Sequence, residues 1–203
     1  MSTVSSRERI LESTLTLFSE KGSSGTSVEE IAAECGMKAP NLYKYFKGKE
    51  DIINELGVYI ESKYQKSMNR GVNNAVWIHN AEEFKMYSLG QIRFTMTDDM
   101  MIKVRKMLAM EQFRNDLYRE QLSFHQFYFL QKQFSEIFKF LIKQGTIEDN
   151  DPEMLAIEFF APVSILMQLT DREPDKKDEV MGMIELFIDR FIIEMWRCNN
   201  ENS

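Results

Sequence analysis

Apolar side chains recur along this chain at intervals of three and four, and almost no stretch alternates apolar with polar as a half-buried strand would. The pattern predicts helix nearly throughout. A first helix starts at Ser5, which forms a capping box with Glu8, and carries Ile10, Leu11, Thr14, Leu15 and Phe18 on its buried side before Gly22 ends it. A second capping box, Thr26 with Glu29, opens a short helix in which Val28, Ile31, Ala32 and Cys35 share one face. Gly36 can then take positive φ for a tight turn, and Pro40 preorganises a third short helix. On that helix Leu42 and Phe46 lie on an inner face with Ala39, while Pro40, Asn41 and Lys44 project outward and Tyr43 flanks them. Gly48 serves as N-cap for a long fourth helix reaching about Arg70, with Glu50 and Asp51 at the positive end of its dipole. After "GVNN", helices are expected near 81–97, 100–114, 116–144, 152–171 and 176–198.

Composition supports this reading. The 203 residues include only 9 Gly and 4 Pro, few enough breakers for long helices, and the length holds one mid-sized domain or a small one continuous with a larger one. Cys35 and Cys198 form no CxxC pair, which argues against a zinc site, a disulfide framework or dithiol redox chemistry and fits a reducing cytoplasm. The opening "MSTVSSRERI" lacks the apolar core of a secretory signal, so a cytoplasmic location is expected. Glu158, Pro162 and Gln168 interrupt the most apolar run, Met154 to Leu169, which falls short of the roughly 20 apolar residues of a bilayer span. Buried core is expected there, and no membrane partner.

Charge is unevenly spread. The net value is −7, yet residues 1–49 carry seven Lys or Arg against six Glu, leaving 18 against 26 acidic groups beyond them. An acidic bulk repels nucleic acid at long range, so any such binding must depend on a local patch. The stretch "GMKAPNLYKYFKGKED", residues 36–51, is the candidate, because it gathers lysines and aromatics on the third helix and the turn after it. Two short helices joined by a Gly turn, the second presenting Lys, Asn and Tyr outward, satisfy the geometry for insertion into a DNA major groove. A surface helix pair with solvated lysines fits the spacing equally well. Catalysis finds no support: His79 and His125 lack partners at ligand spacing, and no nucleophile motif, phosphate-binding Gly loop or H-E-x-x-H occurs. The expectation is no enzyme, no metal and no cofactor.

The segments "RERILESTLTLFSEKG", "TSVEEIAAECGM" and "NLYKYFKGKEDI" resemble, without gaps over residues 7–52, the N-terminal DNA-binding domain of TetR-like bacterial transcriptional regulators. The remaining helices resemble that family only in number, length and order. The resemblance implies an all-α fold of about nine helices: a three-helix helix-turn-helix DNA-binding domain over residues 1–50, then a helical effector-binding and dimerisation domain over 51–203. It implies a homodimeric regulator, a repressor, that binds a palindromic DNA operator and is released by a small hydrophobic effector. The family pattern places phosphate contacts at Thr26, Ser27, Tyr43 and Lys49, and base contacts among Lys38, Ala39, Pro40, Asn41, Lys44 and Tyr45. Asn41 and Lys44 are the favoured readers, since Asn pairs with adenine and Lys with guanine. Two positions depart from the pattern: Lys38 stands where many relatives have a capping Ser or Thr, and Ser23 where many have an aromatic. The third helix is therefore expected to be poorly capped.

The region from Phe84 to Phe140 is rich in Phe, Tyr and Met, and with 14 Met in the chain an adaptable apolar pocket is expected. The candidate lining is Phe94, Met110, Phe113, Phe127, Tyr128, Phe159 and Met167. The last two helices are apolar on more than one side, so both faces must be covered. A four-helix interface between two subunits is expected, through Phe160, Val163, Met167, Ile184, Phe187, Ile188 and Phe191. In the implied mechanism, effector binding moves the fourth helix and changes the separation of the two heads. The alternative is a helical effector-binding or protein-interaction module whose head reads no DNA, as its balanced charge would allow.

Overall fold

The computed structural model describes residues 5–72 and 78–196. Cys198, the expected break at Asn73 and Asn74, and the end of the last expected helix lie outside them. All regular structure among the described residues is helical: α1 (Ser6–Lys21), α2 (Val28–Glu34), α3 (Ala39–Leu42), α4 (Lys49–Val72), α5 (Ala81–Thr97), α6 (Asp99–Glu111), α7 (Asp116–Ser123), α8 (Phe129–Lys143), α9 (Pro152–Arg172) and α10 (Lys177–Trp196). A π-helical turn, Phe124–Tyr128, follows α7 and leads into α8.

Two compact units emerge, one of residues up to 68 with 99–122, the other of 69–98 with 123 onward. In the first, Ile10, Leu15 and Phe18 of α1, Ile31 of α2, Leu42, Phe46, and Ile52, Leu56 and Ile60 of α4 share a core with Val104, Met107 and Leu108 of α6 and Tyr118 of α7. The functional division expected at residue 50 thus falls inside a packed unit. A missing side chain lets α4 and α7 close together: a Cβ on Gly57 would stand 2.6 Å from Leu117 Cδ2. Beside it, Gln121 Nε2 donates to the Gly57 carbonyl at 2.9 Å and the Tyr118 hydroxyl donates to the Ile53 carbonyl at 3.0 Å. Burial pushes the Tyr118 phenol up, keeping it a neutral donor.

The C-terminus of α1 is held from α6. Gly22, at φ 73°, turns the chain out of the helix as its N–H donates to the Phe18 carbonyl at 3.0 Å. The buried Glu111 carboxylate then accepts from the Ser23 amide and hydroxyl, each at 2.7 Å. Burial of an acid is tolerated because both its oxygens are hydrogen-bonded. A second brace crosses from α1 to α4, where the Tyr59 hydroxyl donates to Glu12 at 2.7 Å and Lys63 pairs with Glu8 at 3.2 Å. Burial and the Glu12 acceptor push the Tyr59 phenol up to about 12.

In the second unit, aromatic rings fill the space between α5, α8, α9 and α10. Phe159 is the hub, its ring centroid 4.7 Å from Phe134, 4.9 Å from Phe84 and 5.1 Å from Phe191. Helix α9 begins sharply: the Asp151 carboxylate accepts from the Glu153 and Met154 amides, and Pro152 occupies the first helical position. Its 21 residues extend beyond the Met154 to Leu169 run and make it, among the described helices, the one long and apolar enough by length and composition to cross a membrane, as a core helix also can be. Glu158, Pro162 and Gln168 do not break the helix, which runs through Pro162 to Arg172. Its inner side, Leu155, Ala156, Phe159, Phe160 and Val163, is core. Helix α5 is tied to α10 by Arg93 to Glu185 at 2.6 Å and by Lys85 to Asp189.

Candidate nucleic-acid interface

The capping box of α2 lies one residue beyond its expected place. Ser27, not Thr26, is the N-cap: its hydroxyl accepts from the Glu30 amide at 3.2 Å, and Glu30 reaches back to the Ser27 amide at 2.7 Å. Thr26 turns inward, buried, and donates its hydroxyl to the Gly22 carbonyl at 2.9 Å. Its hydroxyl is thus spent inside the turn, where a phosphate contact was expected. Either residue of "TS" could cap by type; the buried bond to Gly22 decides the register. Ser27 is exposed at the start of α2, though its hydroxyl also bonds the Glu30 carboxylate at 2.9 Å. The Lys21 ammonium beside Glu30, helped by Ser27, pulls that carboxyl down to about 2.

The turn after α2 forms as expected. Gly36 takes φ 69°, and the Gly36 and Met37 amides close on Ala33 and Ala32 at 2.9 Å each. Arg9 Nη2 satisfies the Cys35 carbonyl at 2.8 Å. Helix α3 is shorter than the sequence suggests, four residues, with Lys38 at its N-cap position offering no side-chain bond. The chain continues as tight turns: the Lys44 amide donates to Asn41 at 3.3 Å, and the Tyr45 and Phe46 amides to Leu42 at 2.9 and 3.2 Å. A four-residue helix cannot hold itself in water. Leu42 and Phe46, at 0% and 1% exposure, anchor it to the core.

Anchored from within, the segment presents Lys38, Pro40, Asn41, Tyr43, Lys44 and Tyr45 to solvent, with Ala39 and Lys49 half-buried at its two ends. The inner and outer faces read from the sequence are thus as built. Sequence reasoning missed Arg7 of α1, which meets this segment from 38 residues away. Its Nη1 donates to the Tyr45 carbonyl at 3.0 Å, its Cζ stands 4.6 Å from the Phe46 ring centroid, and its Nη2 pairs with Glu55 of α4 at 3.0 Å. No local pattern could reveal it, since such a contact exists only once α1 has folded against α3 and α4.

The residues expected to line an effector pocket are divided between the two units. Phe113 follows the end of α6 and is 91% exposed, so it walls no cavity; Phe159 is 1% exposed and fills the aromatic core itself. Met110, half-buried on α6, belongs to the first unit. Phe94, Phe127, Tyr128 and Met167 belong to the second, Met167 packed on its core, Phe94, Phe127 and Tyr128 partly exposed, and Phe127 edge-on to Phe160 at 5.5 Å.

The expected dimer interface also needs correction. Phe160, Val163, Ile184, Ile188 and Phe191 are buried in their own unit's core, and Met167 and Phe187 pack against it. The denser apolar face of each helix went inward. What remains outside is Met154 and Ile165 on α9, and Met183, Leu186 and Ile193 on α10, the last three at helical spacing on one stripe. No group of three His, Cys, Asp or Glu among the described residues could hold a metal ion.

Comparison with known proteins adds the following. Residues 10–56 match the family model described as bacterial regulatory proteins, tetR family. The probable HTH-type transcriptional regulator YttP of Bacillus subtilis is 37% identical over 71 residues, 35% of this chain and 34% of that protein. IcaR of Staphylococcus aureus, the HTH-type negative transcriptional regulator of the biofilm operon icaADBC, is 37% identical over 49 residues, 24% of this chain and 26% of its own. The chain thus spans about a third or less of the curated relatives it matches. Among solved structures, the regulator FadR from Bacillus subtilis in complex with stearoyl-CoA superposes with a TM-score of 0.68 at 18% identity, covering 91% of this chain and 96% of that one. At that identity the likeness is one of fold.

Proposed function

We propose that this chain, TetR-like in its N-terminal domain and in its fold, is a DNA-binding transcriptional regulator that acts as a homodimeric repressor on a palindromic operator. The observation that carries the proposal is the reading segment: Leu42 and Phe46 are wholly buried while Asn41, Tyr43 and Lys44 stand exposed on the opposite side. Asn41 and Lys44 read base edges; Lys38, Ala39, Pro40 and Tyr45 lie along the groove, and Ser27, Tyr43 and Lys49 take phosphates. IcaR, a negative regulator, favours repression. Two copies meet through the outward stripe Met183, Leu186 and Ile193 with Ile165 of α9, which would otherwise be exposed apolar surface. Such a reader acts where the DNA is, in the cytoplasm.

A small apolar effector releases the operator. FadR holds stearoyl-CoA on this fold, and the partly exposed Phe94, Phe127 and Tyr128 of the second unit, with Met167, supply adaptable apolar surface here. Release follows from a shift in population between head spacings that fit the operator and spacings that do not. Selection of duplexes from a random pool, followed by binding across a salt series, tests the proposal. The expected result is a two-fold symmetric sequence and a log–log salt slope of about 0.9 per phosphate neutralised. A flat salt response with no selected sequence would favour a helical binding module that reads no DNA.

A further inference from the structure

We propose that Arg7 is a positioning residue for base recognition, fixing from α1 the short segment that carries Asn41 and Lys44; the inference rests on the DNA-reading function proposed above. The segment needs such a fixture. Its helix has four residues and no side-chain cap at Lys38, so its N-terminal end contributes little to its own order. Leu42 and Phe46, with Ala39 packed on the same core, set which side faces inward, but apolar contacts alone let the segment rock on that core. Arg7 acts at the other end and on three partners at once. Nη1 donates to the Tyr45 carbonyl at 3.0 Å, where the turn's acceptors would otherwise face only water and where a cation suits the dipole. The guanidinium lies 4.6 Å from the Phe46 ring centroid, and Nη2 is tied to Glu55 Oε1 at 3.0 Å, so α4 holds the clamp in place.

Only arginine can do this. A planar fork serves a carbonyl and a carboxylate from different nitrogens while resting on a ring, whereas a lysine ammonium is a point charge that satisfies one partner at a time. Arg7 is not itself a reader, because its guanidinium is committed to the protein. A rival role exists, since a side chain 45% exposed beside the reading segment could be a phosphate contact. The two roles predict opposite results.

The test uses the full chain with Arg7→Ala, Arg7→Lys and Glu55→Gln, each checked for an unchanged melting temperature within a few degrees. Amide hydrogen exchange is followed at residues 43–46, with Tyr118 and α10 as internal controls. Binding is measured against a duplex selected by the wild-type protein from a random pool and against poly(dI-dC), across a salt series. The expected result is exchange at 43–46 faster by about tenfold in both Arg7 variants and by less in Glu55→Gln, the controls unmoved. Affinity for the selected duplex falls about tenfold, affinity for poly(dI-dC) and the salt slope stay as in wild type, and Arg7→Lys does not rescue. The proposal is overturned if both duplexes weaken together, the slope drops by about 0.9 and Arg7→Lys restores binding, the signature of a phosphate contact. Unchanged exchange at 43–46 in Arg7→Ala overturns it whatever happens on DNA. A wild-type protein that selects no duplex ends the DNA-reading function instead, and the exchange measurement still decides whether Arg7 fixes the segment.

Discussion

If two copies meet as proposed, Leu186 to Glu should separate them while leaving each folded. Leu186 and Ile165 are each 62% exposed in the single chain, although both sit on helices whose opposite sides form the aromatic core. Burying a leucine completely is worth about 1.5–3 kcal/mol, so covering the exposed share of Leu186 contributes about 1–2 kcal/mol. Two-fold symmetry counts every interface residue twice, which raises the share of Leu186 to about 2–4 kcal/mol of dimer stability. A carboxylate there forfeits this and must also be desolvated against apolar neighbours, so the dimer Kd should rise at least about 30- to 1,000-fold. Ile184 to Ala is the matched control: Ile184 is wholly buried, and its truncation should cost about 2–5 kcal/mol of folding stability with little effect on association of the folded chain. Sedimentation equilibrium against the 23.9 kDa chain mass, paired with urea unfolding, separates the outcomes. A Leu186 to Glu protein that dimerises like wild type, or an Ile184 to Ala protein that dissociates while folded, would refute the assignment of faces.

Replacing Asn41 or Lys44 by Ala should relax preference at single operator positions, at a cost of about 1–3 kcal/mol for a good base contact, whereas Lys49 to Ala should weaken all sequences alike; binding-site selection separates the two patterns. Glu30 makes the α2 N-terminus pH-sensitive: its carboxyl is lowered from 4.5 to about 2, first by the Lys21 hydrogen bond and then by Ser27, so its stabilising effect is present above pH 4.5 and is lost as pH falls toward 2. NMR of α2 amides down that range should show loosening that Glu30 to Gln abolishes. Glu111 to Gln keeps one acceptor for Ser23 and turns an amide NH2 toward its other donor; since hydrogen bonds to charged groups contribute about 1.5–3 kcal/mol each, urea unfolding should detect a loss of about 2 kcal/mol.

The helices were legible because their signals are local. The periodicity of α1, the positive φ at Gly36 and the inward pairing of Leu42 with Phe46 depend on residues within a turn or two of one another. Misreadings arise where two local solutions are chemically equal and a distant contact selects between them. Thr26 and Ser27 can both cap α2, and the Thr26 bond to Gly22 assigns the role. On α10 two apolar stripes compete for the core, and periodicity says that both exist but not which faces Phe84 and Phe159. Phe113 illustrates the same limit, since an aromatic in an aromatic-rich region counts as lining until the helix is seen to stop just before it.

The contacts that composition could not suggest also change the route by which the proposed effector would reach the head. A mechanism running through α4 alone treats the first fifty residues as a separate body. Instead, α6 grips the turn after α1 through Glu111 and Ser23, and α7 grips α4 through Tyr118, Gln121 and the bare backbone of Gly57. Interiors packed at this closeness transmit displacement rather than absorb it. A shift of α6 must therefore carry the end of α1 with it, or break two charge-assisted bonds and open a buried carboxylate to water. If an effector acts as proposed, the reading segment would respond together with α6, and Glu111 variants should then alter release from the operator in a binding assay even though they touch neither DNA nor effector.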